Sequence, residues 1–119
     1  MRVPDSAPGR AGVVVLGALV GGALAALVST VLPNPYPLAV GIAVAVPVMD
    51  VGIYPENVPD NSGVAAQVGV GAAVGGALAG CLVGWAWLSF SLPYATVFAV
   101  ATAYLAAEVG GYAALSRLT

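Results

Sequence analysis

The placement of charge constrains this chain more than any other feature: residues 11 to 49 carry none, and neither do residues 61 to 107. The ionisable residues other than tyrosine and cysteine are Arg2, Asp5, Arg10, Asp50, Glu56, Asp60, Glu108 and Arg117. A charge at the centre of a bilayer costs about 2.5–3.5 kcal/mol on insertion scales, so a bilayer selects for long uncharged runs. Composition points the same way. With 61% hydrophobic residues and a mean hydropathy of +1.01, 119 residues have too little interior to hide their apolar surface in water. The chain reads as an integral membrane protein with the lipid bilayer as its main partner.

Turn formers divide it into four apolar spans. Residues 1–10 form a polar leader, and the first span runs over about 11–32, long enough for roughly 30 Å of hydrocarbon at 1.5 Å per residue. Ala23-Leu24-Ala25 has the form of a cleavage motif, but the apolar stretch exceeds a usual signal core and is read as a retained helix. Pro33, Pro35 and Pro37 end it. The second span, about 38–54, is the weakest, because Pro47 lies inside it and Asp50 near its end. Residues 55–63, Pro-Glu-Asn-Val-Pro-Asp-Asn-Ser-Gly, are a polar acidic loop. The third span covers about 64–88 and the fourth about 94–115, followed by a tail at 116–119. Arg2, Arg10 and Arg117 flank the spans and no connecting loop is basic, which places both termini in the cytoplasm and the protein in the cell membrane. Tyr36, Trp85, Trp87, Phe90 and Tyr94 then fall at the outer interface, with Tyr54 and Tyr112 at the inner one.

The chain also carries an internal echo. Gly17–Ala26 reads GALVGGALAA and Gly71–Gly80 reads GAAVGGALAG, while Asp50-Val51-Gly52-Ile53-Tyr54 matches Glu108-Val109-Gly110-Gly111-Tyr112. The expected fold is therefore an all-α, four-transmembrane-helix bundle made of two parallel-repeat hairpins, related by a pseudo-twofold axis along the membrane normal. Gly17 with Gly21, Gly71 with Gly75, Gly76 with Gly80, and Gly80 with Gly84 recur at intervals of four and form small faces suited to close helix packing, within the chain or between copies.

Asp50 and Glu108 are the only acids within the spans, and they occupy matching places. Ionisable residues in spans are functional candidates. Packed around a shared axis, the two carboxyls would meet and hold a proton or sodium ion, with Tyr54 and Tyr112 as neighbours. The plainer role is anchoring at the interface through water or those tyrosines.

Other chemistries are excluded. Three arginines, no lysine and a net charge of −2 offer no phosphate-binding patch, so no nucleic acid is expected. Without histidine and with the single Cys81 in an apolar run, no metal site, cofactor or nucleophile pair is expected, and the chain is not read as an enzyme. In plan, a glycine-rich helix followed by a carboxylate-bearing helix is similar to the proteolipid subunits of rotary ATPases. A four-helix chain of this length is similar to small multidrug exporters. Asp50 sits nearer the interface than the first resemblance implies, and the first span lacks the glutamate implied by the second, so neither transfers a residue role. The leading expectation is a structural or accessory subunit that forms a homo-oligomer or joins a larger membrane complex through its glycine faces. Its rival is a proton- or sodium-coupled transporter or channel subunit using Asp50 and Glu108.

Overall fold

A computed structural model describes residues 5–118, so the first four residues of the leader and Thr119 of the tail lie outside the described residues. Four helices make up the fold: α1 (Ala7–Val28), α2 (Tyr36–Ile53), α3 (Ser62–Ser89) and α4 (Ala95–Leu118), with a short 3-10 turn at Pro55–Asn57. The described residues contain no strand, and each of the four helices is long and apolar enough to cross a membrane.

Side-chain caps set the helix ends and shift them from the expected bounds. The Gly9 N–H donates to Ser6 Oγ at 3.2 Å and Pro8 occupies the first turn, so α1 begins inside the expected leader and includes Arg10. At its other end the Ser29 and Thr30 hydroxyls donate to the carbonyls of Ala26 and Leu27 at 2.6 and 2.7 Å. Those bonds satisfy late carbonyls, and α1 stops at Val28 rather than running on to residue 32. Asn61 Oδ1 accepts the Val64 N–H at 3.1 Å and starts α3 at Ser62, ahead of residue 64. α4 extends through Leu118, making Ser116 and Arg117 helical rather than tail. α2 is one continuous helix through Pro47, the weakest span by sequence.

The interior is made of small side chains. Ala39, Ala43, Ala99 and Ala103 form one fully buried cluster, and Val46, Ala72 and Ala107 a second. Leu19, Leu27, Leu78, Leu82, Val97 and Leu105 are each 60% exposed or more. Large apolar residues outside and methyl groups inside reverse the distribution of a water-soluble domain.

The same contacts recur in both hairpins. A Cβ on Gly21 would stand 2.6 Å from the Gly41 carbonyl oxygen and 2.7 Å from Ala45 Cβ, and one on Gly80 would stand 2.9 Å from the Ala99 oxygen and 2.6 Å from Ala103 Cβ. Gly17 likewise faces the Ala45 carbonyl and Met49, as Gly76 faces the Ala103 carbonyl and Ala107. Gly17 and Gly21 thus make in the first hairpin the contacts that Gly76 and Gly80 make in the second, whereas the longer sequence match pairs them with Gly71 and Gly75. A Cβ on Gly71 would meet only Ala114 Cβ, at 3.5 Å, and one on Gly75 would meet nothing within 4 Å. One residue along a helix is a turn of about 100°, so Gly75 faces away from the seam that its neighbour Gly76 occupies. Gly84 closes the row against Pro35 and Ala99.

The hairpins are not related by a twofold. α3 and α4 both pack on α2, whereas α1 packs on α2 alone. A twofold would place α1 on α4 as it places α3 on α2. The long dimension of the molecule is 45 Å.

Candidate functional site

The site follows from where α2 meets α4. Val46, one turn before Asp50, and Ala107, adjacent to Glu108, belong to the same buried cluster with Ala72 of α3. Small residues at that crossing let the two helices approach closely and bring the acids with them. The Asp50 and Glu108 carboxyls lie within hydrogen-bonding reach of each other, and both side chains are half-buried. Asp50 sits in the last turn of α2, Glu108 nearly three turns before the end of α4.

Both acids open on a cavity of about 560 Å³ at the end of the bundle that carries the 55–61 loop. Its wall is mainly apolar, with Val44, Pro47 and Val51 from α2 and Ala72 and Ala73 from α3 among the lining residues. Tyr54 and Tyr112 also line it and are 45% and 58% exposed. Among the described residues no hydrogen bond joins either tyrosine hydroxyl to Asp50 or Glu108.

Arg10, which sequence reasoning used only for orientation, is placed beside this site. Its Nε donates to the Gly52 carbonyl at 2.8 Å and its Nη2 to the Ile53 carbonyl at 2.9 Å. A cation bonding the last carbonyls of a helix satisfies groups that have no partner within the helix and complements the negative end of its dipole. These bonds fix the start of α1 to the turn of α2 that carries Asp50. Nothing in the sequence spacing signalled this, because Arg10 and Gly52 are separated by an entire hairpin. The cavity was equally unforeseen.

The remaining expected positions are structural in placement. Gly17, Gly21, Gly76, Gly80 and Gly84 lie at helix contacts within the chain, Gly71 loosely so and Gly75 not at all. Cys81 is half-buried against the Ala39–Ala43 cluster. Among the described residues no three histidine, cysteine or acidic side chains gather to hold a metal ion. No protein-family model, curated protein or solved structure matches the chain.

Proposed function

We propose that this chain is a multi-pass membrane protein built from two copies of one helical hairpin, with both termini cytoplasmic, and that its Asp50–Glu108 pair takes up a proton or sodium ion as part of a transporter or channel subunit. The meeting of the two carboxyls at an apolar cavity carries this reading. Two ionised carboxylates so close repel strongly where water is scarce, and a shared proton or a bound cation removes that repulsion. An anchoring role needs neither acid to meet the other.

Membrane insertion is supported by the outward leucines and valines and by the alanine interior. Duplication is supported by contacts that recur 58 or 59 residues on, Ala45 to Ala103 and Gly17 to Gly76, the same spacing that relates Asp50 to Glu108. Pro35-Tyr36 and Pro93-Tyr94, at the two hairpin turns, share it. A spacing of 58 or 59 serves both helices of the hairpin, whereas the GALVGGALAA match has a spacing of 54.

The test is flux across liposomes under an imposed proton or sodium gradient. Asp50→Asn and Glu108→Gln each keep a hydrogen-bonding side chain of the same size. Each is expected to lower flux at least tenfold while far-UV circular dichroism stays unchanged. Full flux in both variants would remove the ion-site reading.

A second reading, a self-associating accessory subunit, is favoured by one observation: Gly22 and Gly75 lie in helix middles with nothing within 4 Å of a Cβ. Small faces are thus left over after the chain has packed on itself.

A further inference from the structure

We infer that a second copy of this chain docks through α1 on the exposed face of α4, repeating between chains the contact that joins the two hairpins within one. This deepens the self-association reading and uses the hairpin repeat.

Inside the chain, Ala77 and Cys81 of α3 pack against the buried cluster that Ala39 and Ala43 of α2 form with Ala99 and Ala103 of α4. Subtracting the spacing of 59 that relates α1 to α3 gives Ala18 and Gly22; adding the spacing of 58 that relates α2 to α4 gives Val97 and Ala101. All four are exposed. Each chain therefore presents both halves of its own internal interface, one on α1 and the other on α4, and neither is covered. The asymmetry of the fold is what leaves them open: α3 sits on α2, but α1 does not reach α4.

The two open halves also fit by volume. In the internal interface Cys81 lies beside the Ala39–Ala43 cluster. In the proposed one Val97 replaces Ala39 and Gly22 replaces Cys81, so the side that grows meets a side that shrinks, as close-packed interfaces require. Each hairpin enters the bilayer in the same direction, so the repeated step keeps every copy in one membrane orientation. Because the two faces differ, the contact is heterologous and runs head to tail, closing into a ring or continuing as a row.

Disulfide trapping in membranes tests this in a Cys81→Ala background. Chains carrying both Gly22→Cys and Val97→Cys are expected to give a ladder of dimers and larger species on oxidation. Mixing Gly22→Cys chains with Val97→Cys chains is expected to give dimers only, and neither single variant alone should cross-link. Adding Gly22→Phe to otherwise wild-type chains should reduce chemical cross-linking at least tenfold without changing helicity, since a Cβ at residue 22 meets nothing inside the chain. Cross-linking of Gly22→Cys with itself, or dimers trapped only through other exposed positions such as Leu19 and Leu105, would overturn this interface while leaving self-association standing. A chain that stays monomeric in every preparation would overturn both.

Discussion

At the scale of single residues, the glycines divide by what surrounds them rather than by their place in a motif. Gly21→Ala and Gly80→Ala would each drive a methyl group into backbone on the facing helix. Each is expected to cost about 1–3 kcal/mol, the range for overfilling a packed interior. Gly75→Ala meets open space and should cost nothing, since alanine favours helix over glycine by about 1 kcal/mol. Thermal unfolding in mild detergent checks this, and equal losses at Gly75 and Gly80 would contradict the packing described. The sequence could show that small residues recur every four positions, but with Gly75 and Gly76 adjacent it could not show which one faces the seam. Buried alanines were illegible for the same reason, because alanine is common on every face. Asp50 and Glu108 were legible as a pair because charge is so rare in the spans that two matched acids stand out.

Among the elements, existence was easier to read than extent. Apolar length alone marks four helices, but the ends are set by hydrogen bonds that a hydropathy pattern does not record, at Ser6, Ser29, Thr30 and Asn61. The clearest case is Arg10, whose guanidinium closes the end of α2 from one helix away. Arg10→Met keeps the length of the side chain and removes both bonds. It is expected to lower stability by about 1–2 kcal/mol and to speed amide exchange in the turn around Asp50. Unchanged exchange there would show that α2 holds that turn without α1. The same variant is also expected to lower flux in liposomes, because the turn that carries Asp50 loses its tie.

Taken whole, the molecule turns outward what a soluble protein hides, and its interaction with lipid should follow. The chain is expected to resist extraction from membranes at alkaline pH. Trp85, 59% exposed near the α3–α4 turn, should be quenched more by lipids brominated near the headgroup end of the acyl chain than by those brominated near the methyl end. Trp87, stacked on Phe98 with ring centroids 5.0 Å apart, should respond less. Composition could point to the bilayer because charge cost is a property of the chain alone, whereas the arrangement of hairpins depends on which small faces meet. That is why a twofold was expected and a sidestep is found. The alanine seam between α2 and its neighbours has a mechanical consequence. Alanine methyl groups have no rotamers to lock, so apart from Val46 and Ile42 few side chains stand in the way of one hairpin sliding along the other by a fraction of a turn. A seam of that kind is expected to let the distance between the two carboxyls change at low cost.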